Sequence, residues 1–166
     1  MKNEMFETVN ELLEKYIGGQ IFFTELDKAV KFNKSILLEL ESAVEEKFPN
    51  VCTIASGEIG LAMHNLGVHI DFLVAGGLRF DPSKCNLEPF KEFIEDNSFI
   101  FIDDSYFSGK TATVVKEEIE RLGGTWLGSF VAYDGSKSKD KDVYSLYRYY
   151  DYHDILGRKL EKTLDK

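Results

Sequence analysis

The residues best suited to chemistry lie in one run, Phe99-Ile100-Phe101-Ile102-Asp103-Asp104-Ser105-Tyr106-Phe107-Ser108-Gly109-Lys110-Thr111. Two adjacent carboxylates follow four apolar residues, and Ser108, Gly109, Lys110 and Thr111 follow a few positions later. Carboxylates accept hydrogen bonds from sugar hydroxyls and suit a hard divalent cation, directly or through water. Small and hydroxyl residues at a helix start leave amides free, and these amides with the positive end of the helix dipole receive a phosphate. The combination suits a sugar phosphate held beside Mg²⁺.

The rest of the chain must position these groups. Phe99–Ile102 has the pattern of a buried strand, with the acids emerging at its carboxyl end. Thr111–Leu122 is a strong helical pattern with Val114, Val115, Ile119 and Leu122 on one face, ended by Gly123-Gly124. Gly109-Lys110-Thr111 also matches the end of a Walker loop, but that loop needs glycine five places before Gly109, where this chain has Asp104. A carboxylate there would crowd and repel the enclosed phosphates. Further strands are expected at Val51–Ala55, His69–Ala75, Trp126–Tyr133 and Val143–Tyr150. Helices are expected from about Gly60 to Leu66, over Leu87–Glu95 and over Ile155–Leu164.

Residues 1–49 read as helical. Phe6, Val9, Leu12, Leu13 and Ile17 share a face of a first helix that Gly18-Gly19 ends. Asn33 or Ser35 caps a second, with Ile36, Leu37, Leu40, Ala43, Val44 and Phe48 inward. Repeated strand–loop–helix units predict an α/β fold, a parallel twisted sheet flanked by helices, with ligands beyond the carboxyl ends of its strands. The expected organisation is one domain over residues 1–166. Its core covers about 50–135, with a helical flank at 1–49 and a C-terminal strand and helix at 136–166.

Composition narrows the function. With 20 Lys and Arg against 29 Asp and Glu, the net charge of −9 is hostile to nucleic acid and to anionic membranes. Met1–Lys15 is acidic and amphipathic, unlike a secretory signal, and the apolar runs are too short to span a bilayer. Cys52 and Cys85 form no CxxC pair, so a reducing cytoplasm is the expected compartment. His64, His69 and His153 show no ligand spacing.

The Phe99–Thr111 run resembles the signature of type I phosphoribosyltransferases: a hydrophobic strand, two acids, a short variable stretch, then a small hydroxyl residue, Gly, any residue and Thr. The resemblance implies that Asp103 and Asp104 contact the ribose hydroxyls of phosphoribosyl pyrophosphate and, directly or through water, Mg²⁺. It implies that Ser105, Tyr106, Phe107, Ser108, Gly109, Lys110 and Thr111 surround the 5-phosphate. It places a pyrophosphate loop at Ala55-Ser56-Gly57-Glu58-Ile59-Gly60, although Glu58 is an odd choice there and no Arg or Lys follows. An alternative assignment gives that role to Ala75-Gly76-Gly77, but it lies only 26 residues before Asp103, against 46 for Gly57. A mobile loop is expected over Gly76–Lys84, where Arg79 and Lys84 meet the leaving pyrophosphate. Tyr133 and Lys137 are candidates to touch a nucleobase-like acceptor, under a hood built from the flanks. A homodimer is implied as well.

The implied activity is transfer of a 5-phosphoribosyl group to a ring nitrogen of the acceptor, releasing pyrophosphate. A second reading stays open. The unusual Ser-Gly-Glu-Ile-Gly segment and the cation-poor closing loop also suit a non-catalytic regulatory protein that binds phosphoribosyl pyrophosphate or a nucleotide.

Overall fold

A computed structural model describes residues 4–15, 19–136 and 141–148. Three helices come first: α1 (Glu4–Lys15), α2 (Gly19–Phe32) and α3 (Lys34–Lys47). Then come β1 (Cys52–Ser56), α4 (Gly57–Asn65), β2 (Phe72–Val74), α5 (Lys91–Ile94), β3 (Ser98–Tyr106), α6 (Lys110–Arg121), β4 (Thr125–Asp134) and β5 (Val143–Arg148). The five strands form one sheet in the order β2-β1-β3-β4-β5, with every neighbouring pair parallel. The expected α/β class is therefore borne out.

Successive side chains of a strand point to opposite faces, and the core follows that period. Ile100 and Ile102 of β3 and Phe130 and Ala132 of β4 join one cluster with Met5, Val9, Leu26, Val30, Ile36 and Leu40 of the first three helices. Phe99 and Phe101 point the other way, into a second cluster with Val115, Ile119 and Leu122. Each such fully buried side chain contributes roughly 1.5–3 kcal/mol. Two layers of helices thus bury both faces of β3, which explains its uninterrupted apolar run.

Several expected elements differ in extent. The first two expected helices are α1 and α3, and Asn33 does cap α3, its side-chain oxygen accepting from the Ile36 N–H at 3.1 Å. Between them lies α2, which begins at Gly19, where the sequence pattern predicts only the end of the first helix. The strand expected over His69–Ala75 shrinks to Phe72–Val74. The cause is local: the Asp71 carboxylate accepts from the Thr53 N–H at 2.8 Å, taking the place of a ladder bond just before pairing begins. In contrast, β3 runs past the acids to Tyr106, because β4 continues to pair with it through Tyr106↔Asp134. The expected closing helix Ile155–Leu164 and the end of the last expected strand, Tyr149 and Tyr150, lie outside the described residues. The sheet itself extends beyond residue 135, since β5 adds its fifth strand. No described helix is long and apolar enough to cross a membrane.

Candidate functional site

A cleft of about 350 Å³ opens at the carboxyl ends of the strands. Asp103, Asp104 and the whole of Ser105–Thr111 line it, as do Ser56, Glu58, Ile59 and Arg79. Gly76 and Gly77 of the alternative loop line it too, and Asp27 and Lys31 of α2 stand in its wall.

The position of the acids follows from the sheet. β1 pairs with β3 only as far as Ala55↔Ile102, then turns into α4. Asp103 and Asp104 therefore sit where the ladder on one side has ended while β4 still holds the other side through Asp103↔Val131. Asp103 accepts from the Asp104 N–H at 2.8 Å, and Asp104 accepts from the Ser105 N–H at 2.9 Å. These bonds fix both carboxylates in the wall of the cleft.

The turn into α6 is shaped by Gly109, which lies at φ 77°, a left-handed conformation that glycine adopts without steric cost. A Cβ there would also press on the Tyr106 ring, 2.9 Å from its Cζ. Thr113 donates its hydroxyl to the Gly109 carbonyl at 2.8 Å, and the Tyr106 carbonyl accepts from the Gly135 N–H at 2.8 Å. The Lys110 N–H turns toward the Ser108 hydroxyl at 3.4 Å. The other amides of the first turn lead an amphipathic helix whose dipole favours an anion.

The Ser56–Gly60 segment has a different form from the expected loop. β1 passes into α4 with no residue between them, and Gly57 is already helical. Both glycines serve close packing. A Cβ on Gly57 would stand 3.2 Å from the Val74 carbonyl oxygen and from the Gly76 nitrogen. One on Gly60 would meet the Ala55 Cβ at 2.9 Å. Ala55 is fully buried, and Ala55, Gly57 and Gly60 do not line the cleft, whereas Ser56, Glu58 and Ile59 do.

Electrostatics concentrate at the same place. The Lys31 Nζ lies 2.7 Å from Glu58 Oε2 and 3.7 Å from Asp104 Oδ2. Burial works against the Lys31 charge, but the Glu58 bond and the Asp104 charge outweigh it and hold the ammonium above its ordinary value. The same bond holds the Glu58 carboxyl below its ordinary range. Burial, reinforced by the neighbouring Asp104 charge, pushes Asp103 well up. Burial, then Asp104, raises Asp27 to about 6, with Lys31 and Arg79 opposing. A cation relieves carboxyls that the charge of Asp104 has helped to raise, and carboxylate oxygens suit a hard one. Among the described residues no three His, Cys, Asp or Glu side chains group into a metal cage. As a donor set, Asp103 and Asp104 would offer a Mg²⁺ carboxylate oxygens and would leave its other positions to further ligands.

Not every expected site residue reaches this cleft. Lys84 lies instead in a separate hollow beside β2, with Asp71, Phe72, Cys85 and Phe90. Tyr133 is 2% exposed, covered by Phe107 at 5.8 Å and stacked on Tyr147 at 5.4 Å, so its ring belongs to the core. Lys137 lies outside the described residues. Conversely, the sequence reading missed Asp27 and Lys31. Their signal is present: they stand one helical turn apart, and Leu26 and Val30, beside them, repeat at the same spacing on the buried side.

No protein-family model matches the chain, and no curated protein does. Among solved structures it is similar to a hypoxanthine phosphoribosyltransferase from Staphylococcus aureus, with 12% identity over 74% of this chain and 74% of that one and a TM-score of 0.46. It is similar to an adenine phosphoribosyltransferase from Rhodothermus marinus, with 15% identity over 70% and 81% of the two chains and a TM-score of 0.45. A purine phosphoribosyltransferase from Pyrococcus horikoshii shows 15% identity over 69% and 80%, with a TM-score of 0.45. At these identities the likeness bears on the fold alone.

Proposed function

We propose that this chain is a Mg²⁺-dependent phosphoribosyltransferase that moves a 5-phosphoribosyl group from phosphoribosyl pyrophosphate to a nitrogen of a nucleobase-like acceptor. The observation that carries the reading is the shared cleft of Asp103, Asp104 and the Ser105–Thr111 turn. In this reading Asp103 and Asp104 accept hydrogen bonds from the two ribose hydroxyls. The amides and hydroxyls from Ser108 to Thr111 hold the 5-phosphate, and Arg79 faces the departing pyrophosphate. Asp103 and Asp104 would hold a Mg²⁺, which when bound would offset charge on the pyrophosphate. The chain contributes position and charge, not a nucleophile: the anomeric carbon gains oxocarbenium character as pyrophosphate leaves and a ring nitrogen of the acceptor attacks. We further propose that the enzyme works in the cytoplasm as a homodimer, with all of residues 1–166 in one domain.

Incubation with labelled phosphoribosyl pyrophosphate, Mg²⁺ and a panel of nucleobases tests the reading. Release of pyrophosphate with at least one base supports it, and no release with any base sinks it. One observation favours the regulatory alternative: Glu58 brings its own negative charge to the expected pyrophosphate end, and Lys31 is already engaged with it. Calorimetric binding of phosphoribosyl pyrophosphate without turnover would establish that alternative.

A further inference from the structure

The Lys31–Glu58 pair has no part in the reading above, and its geometry is unequal. Lys31 holds two carboxylates from two elements, Glu58 on the first turn of α4 and Asp104 on β3. The Asp104 side chain is only 13% exposed and is fixed by its bond to the Ser105 N–H. The Glu58 side chain is 77% exposed, so it can swing into water at small cost. Of the two ion pairs, the closer one is to the partner that leaves more easily.

Lys31 is also well anchored. Its neighbour Val30 is 1% exposed and Leu26, one turn earlier, is equally buried, so α2 cannot shift without opening the core. The other cations lining the cleft lie elsewhere, Arg79 after β2, its guanidinium 4.5 Å over the Phe80 ring, and Lys110 at the start of α6. Glu58 is the acid in the first turn of α4 and is largely exposed, so its charge opposes a polyanion approaching that helix start.

Resting on the proposed phosphoribosyl pyrophosphate site, we propose that Lys31 is the cation for the diphosphate end of the ligand, and that Glu58 is its exchangeable counterion. Without ligand, Glu58 occupies Lys31. With ligand, a diphosphate oxygen takes the place of the Glu58 carboxylate while Asp104 keeps Lys31 in position. Glu58 is then a built-in competitor of the ligand, and the pair sets the affinity of the site.

A fixed strut and an exchangeable counterion make opposite predictions. Were the pair only a strut between α2 and α4, Lys31→Met and Glu58→Gln would remove the same contact and act in the same direction. In the exchange scheme they act in opposite directions. Calorimetry with Mg²⁺ and inorganic pyrophosphate should show Lys31→Met weakening binding by about 10-fold or more, the loss of one charge-assisted contact. Glu58→Gln should tighten it about 2- to 5-fold, the scale of an exposed ion pair. Lys31→Arg should retain most of the affinity. Ribose 5-phosphate, which lacks the diphosphate, should bind Lys31→Met within about twofold of the parent, since its phosphate meets the Ser108–Thr111 turn.

Unchanged pyrophosphate affinity in a folded Lys31→Met, or weaker binding in Glu58→Gln, would overturn the proposal while turnover by the parent left the enzymatic reading standing. An equal loss for ribose 5-phosphate would overturn the assignment to the diphosphate end. A parent protein that binds neither pyrophosphate nor phosphoribosyl pyrophosphate would remove both this proposal and the reading it rests on.

Discussion

Two helix starts stand side by side over the carboxyl end of this sheet, and they are built on opposite principles. β3 reaches α6 through Phe107–Gly109, a turn with a left-handed glycine, two nearby hydroxyls and no acid in the first helical turn. β1 reaches α4 with no turn at all, on glycines chosen by packing, and Glu58 occupies its first helical turn. The first is open to an anion from its own sequence. The second is not, unless a cation from a third element neutralises it, and Lys31 does so. A helix start is therefore not an anion site by position alone: the charge its own first turn carries decides whether an external anion can approach.

The largest test of this contrast removes the acids that both starts share. Asp103→Asn with Asp104→Asn should lower pyrophosphate release about 10³-fold and abolish its response to Mg²⁺. The double variant should also lose the thermal stabilisation by phosphoribosyl pyrophosphate, about 2.7 kcal/mol when ligand is at 100 times its dissociation constant. Retained turnover would show that the chemistry lies away from β3.

Next in size is the turn itself. Gly109→Ala places a Cβ at positive φ and forces the Tyr106 ring aside. It should cost about 1–3 kcal/mol in denaturant unfolding, and weaken ribose 5-phosphate more than pyrophosphate. Arg79→Ala should reduce kcat/KM about 10-fold, because it removes a cation that lines the cleft.

A pH titration probes the acidic wall. A carboxyl held up in the folded chain binds its proton more tightly there than in the unfolded chain. Asp27 at about 6 therefore supports folding below about pH 4, and that support is lost as pH rises toward 6. Asp103, also raised, acts in the same direction. Ligand-free protein should lose about 1 kcal/mol over this window from Asp27 after allowance for solvent screening. Asp27→Asn should flatten that part of the curve and raise Tm at pH 7; a steeper curve would refute the assignment. The smallest effect belongs to Lys84→Ala, whose side chain lies in the hollow beside β2: kcat/KM should stay within about twofold.

The contrast also explains what could be read in advance. The Phe99–Thr111 segment was legible because strand, acids, turn and helix start are contiguous, and local chemistry decides each of them. The sheet class followed from alternating strands and helices. Asp27 and Lys31 show in sequence only as a charged pair one helical turn apart; that they face the cleft depends on α2 lying against β3 and α4, which is a tertiary fact. The Ser56–Gly60 glycines misled for a related reason. In sequence a glycine for close packing looks like a glycine for anion approach, and only the positions of Val74 and Ala55 separate the two.

α2 faces two ways. Leu26 and Val30 lock it into the core, while Asp27 and Lys31, the residues directly after them, form a wall of the cleft. The recognition apparatus is consequently not modular. Grafting the strand–turn–helix from Phe99 to Arg121 onto another parallel sheet would carry over Asp103, Asp104 and the Ser108–Thr111 turn and leave behind Lys31, the cation that offsets Glu58. The N-terminal helices of this chain cannot be exchanged as mere decoration: a substitute that filled the same hydrophobic volume would fold, yet hand the cleft over to its own acids.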